Sequence, residues 1–155
     1  MKRVLTLAVT AAILVLSACG GGKPTRASYA RALNHVCATA NATIKNWGSK
    51  RTIGGAEALF ADVRHGRIRA TRAELEDLYR ATVASFGKIT SPAGEARVAR
   101  QFLSTAMQLR AALKRAFDLA DSGNESAFAD ADRELSFLGT QADGLARRLD
   151  ARSCG

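Results

Sequence analysis

Three cysteines, two histidines and a tight group of arginines are the residues of this 155-residue chain that invite chemistry. The histidines, His35 and His65, stand apart. Neither belongs to a His-Glu-x-x-His zinc motif or to the Glu-x-x-His pairs of a di-iron bundle. No Gly-x-Ser-x-Gly elbow and no P-loop occurs, and no nucleophile has a base beside it. An enzyme is therefore not expected, nor a metal centre or a bound cofactor. The carboxylates are scattered. Glu74, Glu76 and Asp77 fall in the first turns of an expected helix, where negative charge suits the positive helix end. Asp118 and Asp121, with Asp130, Asp132 and Glu134 across a turn, form at most a weakly acidic end. The densest positive patch is Arg64, Arg67, Arg69 and Arg72, with His65, Lys50 and Arg51 nearby. Its chemistry is the capture of anions, and it is the expected contact with an anionic surface.

Cys19 differs from the other cysteines by what precedes it. Lys2 and Arg3 give a short positive start. Val4 to Leu16 is uncharged, with two threonines as its polar residues. Such a run suits the apolar region of a secretory signal and is shorter than the ~20 residues of a spanning helix. It ends in Leu16-Ser17-Ala18-Cys19, which resembles the lipobox of bacterial lipoproteins. The resemblance covers the first 19 residues. It implies removal of residues 1–18 and a diacylglycerol thioether on Cys19. At ~0.8 kcal/mol for each buried CH₂, two or more chains anchor stably where one does not. The expected location is extracytoplasmic, on the bacterial cell membrane. Residue 20 is Gly and not Asp, so the inner-membrane retention signal of some diderm bacteria is absent. The wider layout, with a cysteine in the first helix and a terminal Cys-Gly, resembles that of small helical actinobacterial lipoproteins.

Lipidation of Cys19 leaves Cys37 and Cys154. An even pair outside the cytoplasm favours a disulfide, with free thiols as the alternative. Export also removes nucleic acid as a reason for the net charge of +9. A basic domain held at a bilayer meets anionic headgroups or wall polymers, and each Lys or Arg near such a surface contributes ~1 kcal/mol.

These groups must be positioned by helices, because no segment alternates like a strand. Residues 19–27, with three glycines and a proline, read as a flexible tether of roughly 15–20 Å. Residues 28–155 then form one domain. A first helix from Ser28 to Trp47 carries Tyr29, Leu33, Val36, Cys37, Ala40, Ile44 and Trp47 on one face, with Gly48 as its stop. A short helix is possible at 56–65. Thr71-Arg72-Ala73-Glu74 has the form of a capping box and opens a helix carrying Leu75, Leu78, Tyr79, Thr82, Val83, Phe86 and Ile89. Ser91 and Pro92 are placed as the N-cap and first residue of a third helix to Asp121. The fourth, from Ser126 to Arg152, shows the steadiest stripe: Phe128, Ala131, Leu135, Leu138, Ala142, Leu145 and Leu149. The expected fold is an all-α, up-down antiparallel four-helix bundle, which returns the C-terminus to the first helix. The phenylalanines and Met107 read as core. Trp47, at a helix end, is the aromatic residue best placed to rim a crevice. His35 reads as a partly exposed helix residue.

The function these readings favour is a non-enzymatic, membrane-anchored envelope module that binds an anionic lipid, a wall polymer or an envelope protein. The rival is a small-ligand or haem carrier, with a pocket between the helices lined by Phe86, Phe102 and Phe117.

Overall fold

The computed structural model describes residues 23–49 and 69–154. Among them the chain is all-α, with four helices in antiparallel packing and no strand. We label them α1 (Arg26–Ser49), α2 (Arg69–Gly87), α3 (Ala96–Asp121) and α4 (Glu125–Arg148). The 3₁₀ turns Ala93–Glu95 and Arg152–Cys154 lie before α3 and after α4. The proposed helix at 56–65, together with the signal and lipobox, lies outside the described residues. No described helix is long and apolar enough to cross a membrane.

Each helix turns inward the face its periodicity marks, although Val36, Ile44, Leu78, Tyr79, Val83, Leu109, Leu113 and Leu135 of those faces are only half-buried. Tyr29, Leu33, Cys37 and Ala40 of α1 are buried, as are Leu75 and Phe86 of α2. In α3 the stripe is Val98, Phe102, Ala106, Ala116, Phe117 and Ala120, and in α4 it is Phe128, Ala131, Leu138, Ala142 and Leu145. Met107 and Phe137 depart from the expectation, at 57% and 68% exposed. Each is a large apolar side chain one residue from a buried neighbour, Ala106 and Leu138. One step of about 100° carries it off the core face.

The core has two parts. One gathers around Leu33, Phe102, Leu149 and the edge-on pair Phe86–Phe102, whose ring centroids are 5.0 Å apart. The other gathers around Phe117, Ala120 and Phe128. The first lies where α1 and α3 begin and α2 and α4 finish. The second lies at the opposite end. Alanines carry much of the contact: Ala112, Ala146 and Ala151 are at most 1% exposed, and none of them stood out in the sequence. Small side chains let helix backbones approach closely, at the cost of less apolar area per residue.

Helix ends move for local reasons. α1 starts at Arg26 and not at Ser28, because Thr25 caps it. Ser28 N–H donates to Thr25 Oγ1 at 3.1 Å while Thr25 N–H donates to Ser28 Oγ at 3.0 Å. This is a capping box with serine in the usual glutamate position. α1 also runs through Gly48 to Ser49. α2 begins two residues ahead of the expected Thr71 box, since Arg69 and Ala70 are good helix formers and extend it. Pro92 does not open α3. It is extended (ψ 151°) and precedes a 3₁₀ turn through Gly94, so the α-helix starts only at Ala96.

α4 stops at Arg148, short of the expected Arg152. Asp150 is left-handed, with φ 57°. Ala151 N–H donates to Ala146 O at 2.9 Å, and Asp150 N–H to Arg147 O at 3.2 Å. That is a Schellman stop with aspartate where glycine is usual. It turns the last residues off the axis of α4 and across α1.

Candidate functional site

The turned-off tail is fixed to one stripe of α1. Cys37 and Cys154 form a disulfide with Cα atoms 5.0 Å apart, closing a sequence separation of 117. Around it, the Asn34 side chain accepts from Ser153 N–H at 2.7 Å and donates to Asp150 O at 3.2 Å. Asn41 donates to Ser153 O at 2.8 Å. Arg26 donates through Nε to Asp150 Oδ2 at 2.8 Å and through Nη2 to Arg148 O at 2.9 Å, and it also pairs with Glu95 at 3.3 Å. Asn34, Cys37 and Asn41 follow steps of three and four, so one face of α1 presents all three to the tail. The two asparagines were missed in the sequence, where polar residues beside an apolar stripe read as ordinary helix surface. Their signal was their spacing from Cys37. Asn41 also heads an Asn-Ala-Thr sequon, and its amide is engaged by the tail.

Next to the disulfide lies a cavity of about 140 Å³. Cys37, Ala40 and Ile44 of α1, Leu78, Tyr79 and Phe86 of α2, and Phe102, Ala106 and Ala142 are part of its wall, with Cys154 of the tail. It falls between the two core clusters, where Ala40, Ala106 and Ala142 present small side chains from three helices. Phe86 and Phe102 therefore sit where a pocket was expected. Phe117 does not: it is 1% exposed in the second cluster. Burial pushes the Tyr79 hydroxyl above the ordinary phenol range. No histidine or methionine is in the wall. His35 is exposed on α1.

The arginine cluster divides. Arg64 and Arg67 lie outside the described residues, and Arg69 is the first residue of α2. Arg72 is held within the bundle, its side chain 17% exposed. It donates to Glu76 at 2.7 Å and to Asp118 and Asp121 of α3, and its guanidinium lies over the Phe117 ring, 5.4 Å from the centroid. The hydrogen bond from Lys114, then that from Arg72, holds the Asp118 carboxyl below the usual carboxylate range. The acidic end is neutralised in the same manner elsewhere: Glu134 pairs with Arg115 and Asp130 with Arg133.

Charge is unevenly placed along the bundle. The end where α1 begins exposes Arg31, Lys88, Arg97, Arg100, Arg147, Arg148 and Arg152. Its described carboxylates are Glu95 and Asp150, both paired with Arg26, and Asp143. The opposite end holds Glu74, Glu76, Asp77, Asp118, Asp121, Glu125, Asp130, Asp132 and Glu134, interspersed with Lys45, Arg72, Arg80, Lys114, Arg115 and Arg133. Comparison with protein families, with curated proteins and with solved structures finds no match to this chain.

Proposed function

We propose that the protein is an extracytoplasmic lipoprotein, anchored through Cys19, whose bundle rests its basic end on an anionic membrane surface. The observation that carries the reading is the imbalance of charge: the end at which the chain from Cys19 enters α1 exposes arginines with few carboxylates beside them, whereas the basic residues of the opposite end are interspersed with acids. A tether of residues 19–25 has a span of roughly 15 Å, comparable with a Debye length of about 10 Å at 0.1 M salt. Exposed arginines held at that distance feel the headgroups. The disulfide agrees with an oxidising compartment. Arg72, already paired with three carboxylates, is not part of this surface.

The test uses the Cys19→Ser protein, which cannot be acylated, with vesicles of phosphatidylglycerol or phosphatidylcholine. Binding is expected to phosphatidylglycerol alone, and to fall as salt rises. Replacing Arg97, Arg100, Arg147 and Arg152 with Gln weakens it and flattens the salt dependence. Equal binding to both lipids, or no effect of the four substitutions, refutes the orientation.

The cavity beside the disulfide supports a second reading, as a carrier of a small apolar molecule. Its volume is below the ~300–1,000 Å³ of pockets for drug-sized ligands, and its wall offers no axial ligand, so haem does not fit it. Native mass spectrometry of freshly purified protein tests this reading: a stoichiometric apolar adduct, lost in Ala106→Leu, supports it, and a bare chain counts against it.

A further inference from the structure

A groove of about 530 Å³ runs between α3 and α4, with no residue of α1 or α2 in its wall. Gln101, Thr105 and Gln108 border it from α3, and Gln141, Gly144 and Arg148 from α4. No carboxylate is among its lining residues. The three glutamines of the chain all line it.

Thr105 is the decisive residue. It is 4% exposed, the buried polar residue of the described core. Thr39, Thr43, Thr82 and Thr140 each donate their hydroxyl to the carbonyl four residues back in their helices. The Thr105 hydroxyl makes no such bond and has no other hydrogen-bond partner among the described residues. A buried hydroxyl without a partner is costly and is normally satisfied by water or a ligand. Arg148 lines the groove at its basic end, and its guanidinium is in no ion pair among the described residues. Phe137 stands on the same face of α4, one turn before Gln141, and is 68% exposed.

We propose that this groove binds an acidic glycan or polyol chain. Amide side chains donate and accept together, as ligand hydroxyls do, and three of them along a groove match a row of hydroxyls. Thr105 adds a buried donor and acceptor at the floor. Arg148 pairs with the ligand's carboxylate or phosphate. Phe137 offers a flat ring for the C–H face of a sugar. Gly144, where a Cβ would meet nothing within 4 Å, keeps the α4 side of the groove low. The inference uses the extracytoplasmic reading only for where such polymers are met. The geometry stands whether or not Cys19 carries lipid.

Isothermal titration of the full chain carrying Cys19→Ser is the test, with oligogalacturonate, poly(glycerol phosphate) and neutral dextran oligomers as probes. Saturable binding of oligogalacturonate or of poly(glycerol phosphate) is expected, and which of them binds distinguishes the two sources of the anion. Dextran binds weakly. Arg148→Gln should cut the preference for the acidic probes about tenfold. Thr105→Val should weaken binding by about five- to tenfold while raising the melting temperature, because the orphan hydroxyl is gone. A purely structural threonine would lower the melting temperature and leave affinity unchanged. If Thr105→Val does not fold, Gln141→Ala on the exposed rim carries the same affinity prediction. No saturable binding of either acidic probe, or binding untouched by Arg148→Gln together with Gln141→Ala, overturns the proposal.

Discussion

Reduction of Cys37–Cys154 is the perturbation whose size follows most directly from the fold. The bridge closes a loop of 117 positions, nearly the whole folded domain. In the chain-entropy account a loop of that length removes about 5 kcal/mol of freedom from the unfolded chain. Domain stabilities are about 5–15 kcal/mol, so the bridge accounts for a large share of the margin. At about 3–4 °C per kcal/mol for a domain of this size, the melting temperature should fall by roughly 15–20 °C. The assay is circular dichroism in guanidinium and on heating, with and without reductant. The Cys19→Ser background leaves one thiol pair, and intact mass in reductant confirms a gain of two hydrogens. The denaturant slope m should also rise, because the uncrosslinked unfolded chain exposes more surface. The tail retains its bonds to Arg26, Asn34 and Asn41 in the reduced protein, so the fold itself should persist. A fall under about 5 °C with the bridge fully reduced would mean the loop closure contributes little. A large fall with unchanged m would move the stabilisation from the unfolded chain to native contacts.

Other outcomes follow from the same contacts. Asn34→Ala removes the acceptor for Ser153 N–H and the donor to Asp150 O, and should cost about 1–2 kcal/mol by denaturant melts. Gly139→Ala should stabilise by about 1 kcal/mol, since Gly139 is inside α4 and a Cβ there meets nothing within 4 Å. A lower stability would mean the glycine has a role that packing does not reveal. Arg72→Met should destabilise by about 2 kcal/mol at neutral pH, as Asp118, Asp121 and Glu76 lose their shared partner. The Asp118 carboxyl is lowered in the folded state. Its stabilising contribution is therefore complete above its unfolded value, about pH 4, and lost as pH falls through the lower folded value. Melts between pH 2 and pH 6 should show a shallower acid loss in Arg72→Met than in the parent chain.

The periodicity of the helices was legible because each stripe repeats at three and four residues without interruption. Leu33 and Cys37, Phe102 and Ala106, or Leu138, Ala142 and Leu145 point inward on spacing alone. The helix ends were less so. Asp150 in a left-handed conformation is the reason α4 stops early, and aspartate does not announce that stop as glycine would. Arg72 carried the same sequence signal as its neighbours Arg67 and Arg69. Its partners, Asp118 and Asp121, are more than forty positions away and meet it only when α2 lies against α3. The tail latch was half legible. Counting cysteines paired Cys37 with Cys154, but Asn34 and Asn41 gain their roles only when the Schellman turn brings Ser153 beside them. Thr105 was invisible for the opposite reason: what distinguishes it is a bond it does not make.

Intact mass of the protein extracted from membranes decides whether Cys19 is the anchor. The expected species is a chain beginning at Cys19, heavier than its residues by a diacylglycerol group with or without a further acyl chain, and lighter by two hydrogens for Cys37–Cys154. A chain that retains residues 1–18, or one with an unmodified thiol at Cys19, would contradict it.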